Sequence, residues 1–153
     1  MAGETSRTSM LITPFTLPEM KSELIEVRTG HSEIVHDITA RCRSYVGQFG
    51  DGLLHVFVPH ATAGIAILET GAGSDTDLLN ALRDMLPDKD VWAHRHGSPG
   101  HGRSHVLPAL IAPYATVPVV DGRLALGTWQ SICLIDINVD NPDRQVRLSF
   151  VSS

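Results

Sequence analysis

Four of the eight histidines lie within twelve residues, as His94, His96, His101 and His105, among Gly97, Gly100 and Gly102. Imidazole is the commonest zinc ligand and titrates near neutral pH, so such a cluster invites a metal reading. The spacing matches no standard zinc motif, and the chain has neither CxxC nor HExxH. The competing reading is a solvated glycine–histidine loop in which most of the rings have no role. A fifth ring, His60, continues the alternation of Leu54, Val56 and Val58, which places a titratable group at the end of a buried strand. A core histidine bonded to a backbone carbonyl would fit that position equally well.

Near the other end of the chain stands GTWQ, residues 127–130. Trp129 offers a stacking face and Gln130 both a donor and an acceptor, a combination suited to a flat, polar heterocycle. A packed Trp beside a surface Gln is the ordinary alternative. Asp75 and Asp77 fall in the first turn of a helix, where the macrodipole stabilises acids without any further role. Arg123 directly follows a hairpin turn and reads as structural.

These residues need a scaffold. Residues 1–8 read as a frayed tail, and Met10–Leu17 with Glu23–Arg28 as a strand pair. From Ser32, the apolar positions Ile34, Val35, Ile38, Cys42, Tyr45 and Val46 recur at three- and four-residue steps. This predicts a helix over 31–46, capped by Ser32 and ended by Gly47. Leu53–Val58 is nearly all apolar and predicts a central strand covered on both faces. Gly64–Leu68 predicts another strand, Ser74 and Asp77 a capping-box start, and the leucines after them a helix over 75–86. Residues 88–104 form a long loop, followed by a short helix over 105–112 that tolerates Pro108 in its first turn. Asp121-Gly122 is a two-residue hairpin signal between Thr116–Val120 and Arg123–Leu126, and Trp129–Ile137 and Arg144–Val151 supply two further strands. Successive strands favour a mainly antiparallel α+β sheet in one domain spanning 1–153.

Three blocks, HATAGIAILE at 60–69, WAH at 92–94 with SH at 104–105, and DGRLALGTWQ at 121–130, closely resemble the YjbQ family. The resemblance covers nearly the whole chain. It implies an α+β fold, a homotrimer, and secondary thiamine-phosphate synthase activity, in which a pyrimidine diphosphate joins a thiazole phosphate with loss of diphosphate. It also implies site roles for His60 with Thr62, for Glu69, Asp77, His94 and His105, and for Arg144 as a phosphate contact; His96 and His101 have no counterpart. If 53–59 and 64–69 pair as a simple hairpin, Glu69 stands about 17 Å from His60. A shared site would then need a subunit boundary or a bend in the chain.

A net charge of −5 argues against non-specific nucleic-acid binding, and no apolar run approaches a membrane span. Cys42 and Cys133 read as reduced thiols and, with no signal-like start, predict a cytoplasmic setting. The expected site has His60, His94 and His105 converging on a divalent metal, zinc or magnesium, with Asp77 as a further ligand. Glu69 joins the catalytic groups, while Trp129, Gln130, Arg144 and Thr62 hold a small phosphorylated or heterocyclic ligand. A phosphate-ester hydrolase using the same histidines and a non-catalytic trimeric binding protein are the alternatives.

Overall fold

The computed structural model describes residues 18–153, so the expected tail at 1–8 and strand at Met10–Leu17 lie outside the described residues. In chain order the elements are β1 (Met20–Arg28), β2 (Ile34–Asp37), α1 (Thr39–Val46), β3 (Gly52–Phe57), β4 (Ala63–Leu68) and α2 (Ser74–Met85). A 3-10 turn at His101–His105 follows, then α3 (Leu107–Leu110), β5 (Tyr114–Val120), β6 (Arg123–Leu124), β7 (Ser131–Asp136) and β8 (Asp143–Ser152). All strand pairs are antiparallel, in one sheet ordered β1-β8-β3-β5-β6 and a second ordered β2-β7-β4.

The small sheet is the middle layer. One face packs with α1 against the large sheet, through Ile132 and Leu134 on one side and Leu54, Val56, Val146 and Leu148 on the other. Its second face meets Leu82, Leu86 and Leu107 through Cys133, Ile135 and Ile137. β7 is therefore the strand buried on both faces. The expectation for β3 is corrected: Leu54 and Val56 are buried, but Leu53 is 48% exposed, so β3 is covered on one face only. Mid-strand His55 bonds Thr116 Oγ1 through Nδ1 at 2.9 Å, which fits a structural part. Burial pushes the Cys42 and Cys133 thiols up to about 12, far from the thiolate form that reacts.

The helix predicted over 31–46 is half strand. Ile34–Asp37 pairs with Cys133–Asp136 as β2, and the helix begins only at Thr39. Ile34 and Val35 are β-branched and find backbone partners on β7, and a strand abutting a helix reproduces the three-and-four spacing by coincidence. Thr39 N–H donates to Asp37 Oδ1 at 2.8 Å, in the place assigned to Ser32. Helix α2 lies where its leucines placed it, but Ser74 makes no capping bond; Gly73, at φ 101°, leads the chain in. The Asp121-Gly122 hairpin forms with positive φ at both residues, as its sequence demands.

The junction after β3 does most to place the site. β3 and β4 do not pair. Residues 58–62 carry the chain from the large sheet to the small one, and His60 rides on that crossing. No helix among the described residues is long and apolar enough to cross a membrane.

Candidate functional site

The segment between α2 and α3 is tied down along its length. Trp92 Nε1 donates to the Pro87 carbonyl at 3.0 Å. The buried Arg103 donates to the Leu86 carbonyl at 3.2 Å and pairs with Glu33. Gly102 packs so closely that a Cβ there would stand 2.5 Å from Trp92 Cβ and 2.7 Å from the His94 carbonyl. The long loop therefore turns back on itself and gathers its histidines.

His94, His96, His101 and His105 each offer a ring nitrogen, and those four atoms lie within 4.8 Å of one another. Ring centroids are 4.1 Å apart for His94–His96 and for His94–His105, and 4.9 Å for His101–His105. One ring is oriented from behind. His101 Nδ1 lies 2.5 Å from Asp140 Oδ2, and His101 Nε2 lies 3.0 Å from His105 Nε2. The carboxylate takes the Nδ1 proton, so Nε2 presents its lone pair to the cluster, the arrangement typical of a metal-bound histidine. Asp140 also accepts the Ser98 N–H and hydroxyl at 3.2 Å. Those bonds, the Ser98 amide first and then His101, hold its carboxyl below the usual range. Gly97, at φ 79°, makes room for the pair, since a Cβ there would lie 2.7 Å from both Asp140 Oδ2 and His101 Cγ.

Removal from water, and then mutual repulsion within the cluster, lowers the pKa of His94 and of His105. Both shifts favour the neutral ring, the form that binds metal. The cluster opens on a cavity of about 330 Å³ whose wall includes His96, His101, His105, His60, Thr62 and Arg144. Under that wall Arg144 Nε and Nη2 grip Asp136 Oδ2 and Oδ1 at 2.7 and 2.9 Å, with both side chains 0% exposed. Asp136 also accepts Thr29 Oγ1–H at 2.8 Å and Asn138 N–H at 2.9 Å. Asn138 Nδ2 reaches Thr62 Oγ1 at 3.2 Å.

His60 shares this cavity but is not one of the clustered four. Its Nε2 accepts the Gln145 backbone N–H at 3.0 Å, which occupies the lone pair a metal would need. The expected trio of His60, His94 and His105 is thus corrected to a quartet in which His96 and His101 take part and His60 stands aside. Asp77 is exposed in the first turn of α2 and belongs to no metal-capable group found among the described residues.

Glu69, Trp129 and Gln130 lie elsewhere. In the β4–β7 ladder Ala63 faces Asp136, whereas Leu68 faces Ser131. Glu69 and the Trp129–Gln130 pair thus sit at the opposite end of the small sheet, roughly 17–20 Å along the strands. Trp129 is 72% exposed, and Gln130 Oε1 accepts the N–H of Gly127, three residues earlier in the same turn, at 2.7 Å. One chain does not bring them to the histidines.

Sequence reasoning set aside His96 and His101 and passed over Asp136 and Asp140. A signal was present: two acids flank Asn138 just after the most apolar strand, and polar residues at such a strand end have to be satisfied by one another.

The model for the UPF0047 protein YjbQ-like family matches residues 23–153. A UPF0047 protein of Mycobacterium tuberculosis is 55% identical over 132 residues, covering 86% of this chain and 98% of its own. One from Methanocaldococcus jannaschii is 32% identical over 123 residues, covering 78% and 86%. Among solved structures, a YbjQ-like protein of unknown function from Sulfolobus solfataricus superposes with a TM-score of 0.82 at 23% identity, covering 89% of this chain and 99% of its own. A hypothetical protein from Aeropyrum pernix gives 0.77 at 29% identity, covering 87% and 99%.

Proposed function

We propose that this chain, which belongs to the YjbQ-like UPF0047 family, is a metal-dependent enzyme hydrolysing a small phosphorylated molecule. The observation that carries the reading is the four ring nitrogens within 4.8 Å, one of them set by Asp140. An all-imidazole donor set suits zinc and fits magnesium poorly, because magnesium prefers oxygen ligands and keeps its waters. A zinc-class ion held by three of these rings would keep one position open and supply activated water and charge stabilisation there. The chain's own residues do the rest: Asp140 holds the His101 ring, and the cavity lined by His60, Thr62 and Arg144 receives the substrate.

Secondary thiamine-phosphate synthase activity is the second reading. The exposed indole of Trp129 favours it, as a stacking platform for a flat heterocycle. That platform can join the histidines only from a neighbouring copy, which fits the homotrimer that the family resemblance implies; a cytoplasmic setting goes with both readings.

The test is metal analysis of protein purified without chelator, with mass in solution and turnover of simple phosphate esters. About one zinc per chain, lost together with hydrolysis in His101→Ala, supports the proposal. Wild-type protein without stoichiometric metal overturns it. Hydrolysis absent while the pyrimidine and thiazole phosphates are joined would shift the reading to the synthase, and a particle of three chain masses would support the shared platform.

A further inference from the structure

Two residues that line the cavity each carry a donor with no partner among the described residues. The first donor belongs to Arg144. Its Nε and Nη2 are taken by Asp136, while Nη1 is buried without a hydrogen-bond partner among the described residues. A buried charged donor left unpaired is unfavourable unless something outside the fold pairs with it. The second belongs to His60. A backbone N–H can only donate, so the 3.0 Å contact from Gln145 N fixes His60 Nε2 as the acceptor. The ring's single proton therefore sits on Nδ1. Burial, followed by the nearby Arg144 charge, lowers the pKa of this ring, which keeps that tautomer neutral. Neither a base nor a ligand at Nε2, His60 presents an N–H.

We propose that His60 Nδ1–H and Arg144 Nη1 form an oxyanion subsite beside the histidine cluster, and that the group it takes is a phosphate dianion. The charge count favours phosphate over a carboxylate. The Arg144–Asp136 pair cancels itself, the four histidines are neutral ligands, and Asp140 is the one acid on the cavity wall. A divalent cation would therefore leave about one positive charge uncompensated before the arginine edge is counted. A carboxylate has two oxygens to share among cation, arginine and histidine. A phosphate has a third. The cavity of about 330 Å³ has room for the phosphate and a small organic group attached to it. This deepens the hydrolase reading and rests on it for the cation, but the two donors are present without the metal.

Inorganic phosphate is the probe, titrated calorimetrically into the full chain in zinc-loaded and zinc-stripped forms. His60→Gln is the main variant, because its amide oxygen can still accept the Gln145 N–H while no donor remains at the position of Nδ1. Arg144→Lys, which also loosens the buried pair, is read only beside it. Phosphate should bind both forms, the zinc-loaded one more tightly, and His60→Gln should weaken binding about tenfold in each with zinc stoichiometry unchanged. Acetate should bind more weakly than phosphate. If no zinc binds but phosphate does so in a His60-dependent way, the subsite stands and the metal centre fails. Equal phosphate affinity in wild type and His60→Gln, or no phosphate binding by zinc-loaded wild type, overturns the subsite.

Discussion

The two ends of β7 were expected to serve one site, yet they have little in common physically. At the Asp136 end, the polar groups are committed to one another, with Arg144 Nη1 left over. The carboxylate accepts Arg144, Thr29 and Asn138, the asparagine reaches Thr62, and the chain two residues on supplies the Asp140 that holds His101. At the Ser131 end, Trp129 faces solvent and Gln130 closes a local turn with Gly127. Low dielectric makes unpaired polar groups unfavourable, so a buried network leaves donors free only where a ligand can complete them. An exposed end carries no such constraint, and the Trp129 indole is left to solvent.

The largest expected effect breaks the network at its centre. Asp136→Ala leaves the Arg144 guanidinium buried and unpaired and should destabilise the fold by about 3–5 kcal/mol. Trp129→Ala should stay within about 0.5 kcal/mol, since it removes a solvent-facing side chain. Urea unfolding of the two variants reads the contrast directly. Comparable losses would mean that the Trp129 end carries packing invisible in a single chain, and would point to a subunit interface there.

A smaller effect sharpens the contrast through metal affinity. Asp140→Asn removes the charge that orients His101, and Gly97→Ala forces a Cβ to within 2.7 Å of both partners. Each should weaken zinc binding about 10–100-fold, measured by competition with a chromophoric chelator. Glu69→Gln, at the far end of β4, should leave it unchanged. Loss of zinc in the Glu69 variant would bring the two ends together in the assembly.

How far these features could be read in advance follows from what kind of interaction decides each. Local chemistry was legible: the leucines of α2, the Asp121-Gly122 turn and the apolar run of β7 depend on neighbours in sequence. Pairing was not. Ile34 and Val35 fit a helix face until β7 offers hydrogen bonds, and no residue in 58–62 announces that the chain changes sheets there. The same distinction runs through the site. His94 and His105 stood out on the blocks that resemble the family, whereas His96 and His101 depend on a loop closure made by Gly97, Gly102 and Asp140. His60 was expected at a strand end but lies on the crossing three residues past β3, and its hydrogen-bond role depends on a backbone amide 85 residues away.

The smallest effect isolates His60. Its folded pKa lies below the usual imidazole value of about 6.5, through burial first and the Arg144 charge second. The unfolded chain therefore binds a proton that the folded chain resists, and stability falls as pH drops through about 6.5 toward the folded value, then levels off. His94 and His105 add slopes of the same sign in the same window. Asp37 and Asp140, lowered from 3.8, lose their contributions only in more acidic solution, so the windows separate. His60→Gln removes one titrating group and keeps the contact to Gln145. Measured without zinc from about pH 7.5 to 5, its urea midpoint should fall less steeply than that of wild type, and the gap between the two curves should narrow with acid. Parallel curves for wild type and His60→Gln would mean that His60 titrates alike in both states, and the argument for a fixed, neutral Nδ1–H donor on the cavity wall would lose its support from pH.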